Sequence, residues 1–464
     1  MKSNNESLDR IKDILNGMPV KANPDDFFPY VDRTIKNREI LLLSAKKYGT
    51  PQYILDEKLL IERINLFRNA FKKRLSNIKI FYAFKCNDLP WMLGILKNNG
   101  IHADVAGFFE LSLALKLGFK EIIFTSPVKS SSALELAVKN SGNVIINIDK
   151  IDELKKIVRF VEESRVSRPV NVSFRLNPGS EISGQWSKFG LSMAELRGAV
   201  EIVFKSRHIN WAGIHFHSSW NETPERHVNN IEIIGKFLKE NFSPVQLKGL
   251  RFFDIGGGFL CEGNAPLFSG TEQFSAMELL GNKCNAILPH EPVKWKPESI
   301  EKFAEEISLS IKKNIKSIPA LSGIEVWLEP GRFIASMPTS ILLQVVSVKE
   351  DRIYVNGGIN LIGSNDFEYD FFPIVNLCAP KKKLNKAKIY GCLCDPNDLW
   401  GYSYYGEKCK PKDILAVLHQ GAYTFSTAWR FIEPNAPYAS FSKKKLILAK
   451  KKEEFEDKYK GCLF

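Results

Sequence analysis

The sequence predicts an α/β protein in which a (β/α)8 TIM-type barrel is followed by a β-rich domain. Two observations predict it: short apolar strand patterns alternate with amphipathic helix patterns, and this alternation stops after Arg332. About eight such repeats favour a closed barrel. A doubly wound open sheet is the alternative, but its first strand would be followed by a Gly-rich loop, where this chain has "FKCNDLP".

Each repeat pairs one strand with one helix. The strands read, in order, "IKIFYAFK", "IHADVAG", "EIIFTSP", "NVIINID", "PVNVSFRLNP", "INWAGIHFH", "LKGLRFFDIGGG" and "GIEVWLEPGR". The helices, such as "EKLLIERINLFRNAFKKRL", carry apolar residues at i, i+3 and i+4. Glycines such as Gly100 end them.

The pattern divides the chain into three regions. We expect an N-terminal helical arm over 1–49, the barrel over 50–333, and a C-terminal β domain over 334–464 that resembles a Greek-key barrel. The strand at 50–56 is open to either domain. Residues 259–297 are polar and dotted with glycine and proline, so we expect an insertion that covers the active-site face of the barrel.

Composition excludes several classes of protein. With 464 residues, 44% hydrophobic and 25% charged, the chain has ordinary globular composition. The net charge of +13 arises largely in lysine runs without a nucleic-acid motif, so we expect no nucleic-acid partner. The eight cysteines match no disulfide framework, "CLC" is no zinc pair, and no apolar stretch is long enough to span a membrane. We expect a cytoplasmic protein without a metal.

Barrel enzymes place their sites at the C-terminal ends of the strands. A lysine at the end of an apolar strand is costly unless it is paired or used, and a buried lysine with a lowered pKa forms a Schiff base with an aldehyde. Successive glycines expose backbone N–H groups to a phosphate. Pyridoxal 5'-phosphate (PLP) has both an aldehyde and a phosphate, so the residues at these strand ends predict PLP as the cofactor. They carry Lys85, Asp104, Arg175, Asn177, His215, His217, Gly256, Gly257, Gly258, Glu329 and Arg332.

Ten short motifs indicate a resemblance to a known family. The sequence resembles the PLP-dependent decarboxylases of the alanine-racemase-like barrel fold, which include diaminopimelate, ornithine and arginine decarboxylases. The resemblance covers roughly residues 50–440, and "RLNP" and "SKFG" place the diaminopimelate branch nearest. The motifs, in register, are "FYAFKCN", "HADVAGFFEL", "NIDKIDEL", "RLNP", "SKFGLS", "IHFH", "FDIGGGF", "EPGRFI", "YGCLCDPNDLW" and "GAYTF".

The resemblance implies roles for the barrel residues. Lys85 would hold PLP as a Schiff base, and His217 would stack on the pyridine ring. Glu329 would face the pyridine nitrogen and keep it protonated, which favours a decarboxylase over a racemase. His215 lies two residues before His217, on the same side of a strand, and its contact with the cofactor is left open. The remaining predicted cofactor ligands are Asp104, Arg175, Gly256, Gly257, Gly258 and Arg332.

The resemblance also implies a homodimer with shared active sites. Cys394 in "CDPND" would reach the site of the partner subunit and act in catalysis. Asp395 would contact substrate, and Tyr423 in "GAYTF" would lie near the cofactor. The enzyme would thus be a carboxy-lyase of amino-acid metabolism that removes the α-carboxylate of a small amino acid as CO2.

Four departures from the family pattern affect substrate and cofactor. Trp220 replaces a phosphate-binding serine, "GFFEL" replaces "SGGEL", and Cys392 replaces a proline. Residues 363–372, "GSNDFEYDFF", replace the arginine and tyrosine that bind the distal carboxylate of diaminopimelate, and Glu368 falls among them. Because acidic groups suit a cationic or polar tail, we expect another diamino acid or an amino-acid-bearing intermediate. Diaminopimelate decarboxylase proper and a non-catalytic regulator on this fold are the alternatives.

Overall fold

The computed structural model shows two compact units, each built from more than one stretch of chain. The first contains Ile61–Leu260 and Pro297–Ile334, and the second contains Met1–Leu60, Cys261–Lys296 and Ala335–Phe464. The structure describes residues 14, 17–163, 168–179, 188–279, 288–363, 367 and 369–463.

The first unit is a closed barrel of eight parallel strands, as the sequence predicts. The last strand hydrogen-bonds to the first, and each of the others pairs with its sequence neighbours. The strands are Ile78–Ala83, His102–Val105, Ile122–Thr125, Val144–Ile148, Val170–Arg175, Ile209–His215, Phe252–Asp254 and Glu325–Leu328.

Helices connect these strands on the outside of the barrel, which is the arrangement that parallel strands require. Four of them begin at a serine cap: Ser192, for example, accepts a hydrogen bond from the N–H of Glu195. The helices are Glu57–Lys72, Pro90–Asn98, Phe108–Lys116, Ser131–Lys139, Ile151–Glu163, Met193–Lys205, Glu225–Asn241, Pro244–Leu247, Ile300–Asn314 and Gly331–Ala335.

Aromatic and aliphatic side chains fill the interior of the barrel. The rings of Phe252 and Trp327 stack in parallel with centroids 3.5 Å apart. Gly213 makes room for them, since a Cβ there would lie 2.2 Å from the Phe252 ring. The buried cluster consists of Phe81, Ile123, Ile145, Ala212, Phe252 and Trp327. Because it closes the barrel interior, polar groups gather beyond the C-terminal ends of the strands.

The second unit is dominated by one nine-stranded sheet. The strand Gln52–Asp56 belongs to this sheet, where it pairs antiparallel with Thr339–Lys349 and parallel with Tyr438–Ser442. Thr339–Lys349 also pairs with Arg352–Val355, which closes part of the sheet on itself. The remaining strands of the sheet are Ile374–Asn376, Leu384–Tyr390, Leu399–Tyr405, Ile414–Val417 and Lys445–Lys450.

Helices and a small ribbon complete the second unit. The helices Phe28–Lys36 and Arg38–Tyr48 precede the first strand. In the predicted insertion, Ala265–Pro266 pairs with Asp370–Phe371, and a helix spans Glu272–Leu279. Across the described part of the chain, every helix is too short or too polar to cross a bilayer.

Candidate active site

Lys85 lies just beyond the first barrel strand and forms an ion pair with Asp104. The strand ends at Ala83, two residues earlier than the apolar pattern indicates, and Lys85 occupies a 3-10 turn. Its Nζ lies 2.9 Å from Oδ2 of Asp104, whose side chain is fully buried. The lysine side chain itself is 41% exposed, so it is less buried than we expected. Pairing and partial solvation together stabilise this ammonium.

Glu329 is a buried carboxylate beside two histidines. Its Oε2 lies 3.6 Å from Nε2 of His215 and 3.6 Å from Nδ1 of His217. Burial alone raises the pKa of Glu329, but the charge of His215 and contact with its ring outweigh it and lower the pKa well below its usual value. Burial lowers the pKa of His217 to about 4. The site therefore contains an ionised Glu329 beside a neutral His217 at neutral pH.

Asp254 is a buried carboxyl that our sequence analysis missed. Its Oδ1 accepts the N–H of Gly256 at 2.9 Å. Burial, and then the charge of Glu329, raises its pKa well above the usual value. Of the two carboxyls, Asp254 is therefore the one that binds a proton more readily. The available signal was a single acidic residue in the apolar run "RFFDIGGG", directly before the glycines.

The three glycines form a tight turn against neighbouring backbone. Gly256 and Gly258 have φ values of 68° and 83°, a region that favours glycine. A Cβ on Gly257 would lie 2.4 Å from the carbonyl oxygen of Glu329, and a Cβ on Gly258 would lie 1.9 Å from that of Ser218. A Cβ at any of these positions would therefore collide with neighbouring backbone atoms, so each position requires glycine.

Two predicted arginines are held by aromatic rings. The Arg175 guanidinium lies 4.3 Å from the ring centroid of Phe189, and its Nη1 lies 3.7 Å from Oδ1 of Asp149. The Arg332 guanidinium lies 4.6 Å from the ring centroid of Trp220. Both guanidinium groups thus lie within cation–π distance of an aromatic ring.

The helix after the second barrel strand adds an unusual carboxyl and two exposed rings. Oε2 of Glu110 accepts the N–H of Ala106 at 2.6 Å, and burial raises the pKa of Glu110 to about 7. Phe108 and Phe109 are 40% and 86% exposed. The two phenylalanines of "GFFEL" therefore do not fill the core.

Three of the predicted site residues lie in the second unit. Cys394 is exposed in the connection between Leu384–Tyr390 and Leu399–Tyr405. Asp395 accepts the N–H of Asn397 at 2.9 Å, and Tyr423 has a φ of 58°. Glu368, predicted to contact substrate, lies outside the described residues.

A closed (β/α)8 barrel with a lysine, a buried ionised carboxylate and a glycine turn after its strands is typical of PLP enzymes of the barrel class. A family model for the pyridoxal-binding domain of pyridoxal-dependent decarboxylases matches residues 59–336. The chain belongs to this family of PLP-dependent carboxy-lyases, as the ten motifs predict.

Individual relatives agree with this assignment. A diaminopimelate decarboxylase of Staphylococcus aureus is 27% identical over 421 residues, which cover 86% of this chain and 90% of the relative. The M. jannaschii diaminopimelate decarboxylase in complex with L-lysine superposes with a TM-score of 0.74 at 22% identity, covering 90% of this chain and 93% of that one. The Helicobacter pylori diaminopimelate decarboxylase in complex with L-lysine superposes with a TM-score of 0.71 at 23% identity, covering 91% of this chain and 98% of that one.

The residues present fit the PLP cofactor of this family. Lys85 supplies a primary amine that suits the aldehyde, and the turn of Gly256–Gly258 presents backbone without side chains. Glu329 supplies a negative charge that matches a protonated pyridine nitrogen. The aldehyde, the phosphate and the pyridine nitrogen of PLP thus each have a suitable group at the ends of the barrel strands.

Proposed function

We propose that the protein removes the α-carboxylate of a diamino acid as CO2, with PLP bound to Lys85. The observation that carries this proposal is the pairing of Lys85 with buried Asp104, on the barrel face where Glu329 is held ionised. The bound cofactor would withdraw electrons from the substrate α-carbon. Glu329 would hold a proton on the pyridine nitrogen, because an adjacent carboxylate stabilises the cationic ring.

The other barrel residues would bind and orient the cofactor. Neutral His217 would stack on the ring, since a charged imidazole would compete for Glu329. The phosphate would lie at the turn of Gly256–Gly258, where the N–H groups of Gly256 and Gly257 already bond to Asp254 and His217, so Arg332 would act as its charged donor. Asp104 would hold Lys85 in place through their ion pair. Arg175 would face the substituents of the cofactor ring.

Two observations favour different substrates within this family. The relatives favour diaminopimelate, whereas the acidic segment 363–372 favours a tail that is cationic or polar. We propose the second, with Glu368 as the residue that meets the tail and Asp395 as a further substrate contact. Lysine and ornithine are the simplest diamino acids with such a tail.

We further propose a cytoplasmic homodimer with shared sites. Cys394 of one subunit would complete the site of the partner, where its thiol would deliver a proton to the substrate carbon after CO2 has left, and Tyr423 would lie near the cofactor. The exposure of Cys394 supports this proposal, because a thiol that acts across an interface must lie on the surface of its own subunit.

Two measurements test the proposal. Borohydride reduction of the PLP-loaded protein, followed by peptide mass spectrometry, should find the pyridoxyl group on Lys85; another lysine would overturn the site. CO2 release should then be compared for diaminopimelate, lysine and ornithine, each in its separate stereoisomers. A higher kcat/KM for meso-diaminopimelate than for the others would overturn the proposed tail preference and leave diaminopimelate decarboxylase. No CO2 from any of them would favour the regulator.

A further inference from the structure

Trp220 adopts a backbone conformation that a bulky residue rarely takes. Its φ is 56°, in the left-handed region, and its side chain is 61% exposed. A non-glycine residue in this region costs on the order of 1 kcal/mol, and such a residue persists only where its surroundings hold it. An exposed indole gains little from burial that would offset this cost, so another interaction must explain its position.

Hydrogen bonds on the C-terminal side of Trp220 fix the loop to the glycine turn. The N–H of Asn221 donates to the carbonyl oxygen of Gly258 at 3.1 Å. The Asn221 amide donates to the carbonyl oxygens of Ser218 and Gly258, each at 3.3 Å. The loop and the turn therefore form one hydrogen-bonded structure, and the direction of the Trp220 side chain is set by that structure.

The indole of Trp220 contacts the guanidinium of Arg332, with 4.6 Å between the Arg332 Cζ and the ring centroid. When a guanidinium stacks on a ring, its flat face meets the ring and its in-plane N–H groups point along the ring and not into it. Since an arginine side chain has about 2 kcal/mol of rotamer entropy, a ring that restricts it beforehand lowers the cost of ordering it on binding.

One of the two serines of this loop has its hydroxyl in the barrel core. The Ser218 side chain is fully buried, and its Oγ accepts the Asn230 amide at 3.1 Å. Trp220 stands where the family pattern has a phosphate-binding serine. The Ser218 hydroxyl is thus committed to the barrel core, while the carbonyl oxygen of Ser219 accepts a hydrogen bond from the Arg226 guanidinium at 3.0 Å. Arg332 is the cation in contact with the Trp220 ring.

We propose that Trp220 is a positioning residue for cofactor phosphate: its indole holds the Arg332 guanidinium where the phosphate of PLP binds. This inference rests on the proposed function, because it requires the phosphate to bind at the turn of Gly256–Gly258. It predicts that Trp220 contributes to affinity for PLP and not to affinity for pyridoxal, which has the same ring and aldehyde without the phosphate.

The experiment compares PLP and pyridoxal binding to the apoprotein. Trp220→Leu keeps a Cβ at the same φ but removes the ring face, and we expect its Kd for PLP to rise about three- to fivefold, the size of an exposed cation–π contact. Its Kd for pyridoxal should stay within about twofold. Trp220→Phe, which keeps a ring face, should restore most of the PLP affinity. Phe204→Leu, an exposed aromatic change on an outer helix, is the matched control and should change neither value.

Three results would overturn the inference. Equal weakening for PLP and pyridoxal would make Trp220 a wall of the ring pocket, no weakening would remove its role, and failure of Trp220→Phe to recover would exclude stacking. Borohydride labelling of Lys85 in the Trp220→Leu variant separates the two proposals. A label that remains on Lys85 leaves the proposed function intact while the positioning role fails.

Discussion

The backbone N–H of Gly257 donates a hydrogen bond to Nδ1 of His217 at 3.2 Å. Because Nδ1 accepts, the single proton of the neutral imidazole lies on Nε2, which agrees with the lowered pKa of about 4. The glycine turn thus sets both the orientation and the tautomer of the histidine proposed to stack on the cofactor.

This hydrogen bond predicts different effects of two polar replacements at His217. Asparagine can place an amide oxygen near the position of Nδ1, whereas the amide of glutamine reaches nearer that of Nε2. We therefore expect the free energy of unfolding of His217→Asn to exceed that of His217→Gln by about 1 kcal/mol. The melting temperature of the asparagine variant should accordingly lie closer to that of the wild type. Both variants should bind PLP more weakly, since both lose the ring. Thermal unfolding of the apoproteins is the measurement, and a more stable glutamine variant would contradict the assigned tautomer.

Glu110 predicts a pH dependence of stability. Its folded-state pKa of about 7 lies above its usual value of 4.5, so the folded state favours the protonated form. Stability from this group is present below pH 4.5 and is lost as the pH rises towards 7. After discounting for partial solvation, the loss is about 1–3 kcal/mol. Between pH 5 and 7.5, the melting temperature of Glu110→Gln should rise relative to that of the wild type by about 2–6 °C. Above pH 7.5 the difference between the two melting temperatures should stay constant. A constant difference across this range would exclude the raised pKa.

Gly258 is a position where alanine should fail. A Cβ there would lie 1.9 Å from a backbone oxygen at a φ of 83°, so Gly258→Ala should lose about 3 kcal/mol or more and bind PLP poorly. Gly94, inside the helix Pro90–Asn98, has nothing within 4 Å of its Cβ position. Gly94→Ala should therefore stabilise the protein by up to about 1 kcal/mol. Similar melting temperatures for the two variants would contradict the geometry of the turn.

Glu329→Gln tests the role of the buried charge. The amide keeps the shape of the side chain but cannot stabilise a protonated ring nitrogen, so we expect kcat to fall about 10²–10³-fold while PLP remains attached to Lys85. Glu325→Gln, at the other end of the same strand, is the control. Its side chain accepts the indole N–H of Trp327 at 2.9 Å, which a glutamine oxygen can still do. A small effect on kcat in Glu329→Gln would remove the carboxylate from the reaction.

Mixing two inactive variants tests the shared site. Lys85→Ala and Cys394→Ala each remove one proposed catalytic group, and a heterodimer would regain one site with both groups. If subunits exchange at random, half of the dimers are heterodimers with one intact site, so activity should recover to about a quarter of wild type. Exchange without any recovery, monitored by native mass spectrometry, would place both residues in one subunit's site.

The sequence predicts the barrel well because each strand and helix has its own local pattern. The ends of elements are less certain: "IKIFYAFK" reads as one strand, yet the structure closes a 3-10 turn at Phe84–Cys86, where the chain begins to leave the barrel. The position of Lys85 beyond a strand was therefore predictable, and its partial exposure was not. Exposure depends on what surrounds the side chain in three dimensions.

Asp254 shows why part of the site was missed. Within an apolar run, one aspartate reads as a strand residue with an unspecified partner. Its raised pKa arises from burial and from Glu329, which lies on another strand and distant in sequence. The carboxyl with the lowered pKa and the one with the raised pKa were thus indistinguishable until the strands were brought together. The acidic segment was recognisable by composition alone, and its residues Ser364, Asp366 and Glu368 lie outside the described part of the chain.

The strand Gln52–Asp56 has a consequence for how the chain is made. Tyr53 pairs with Ile341 on one side and with Tyr438 on the other. At roughly 5–20 residues per second, the ribosome would release the second of these partners about 20–80 s after Tyr53 itself. Through that interval an apolar strand has both edges open, while the barrel that follows it in sequence can form from neighbouring segments. The nascent chain should therefore depend on chaperones at its beginning, although the barrel repeats in the middle are ready to fold first.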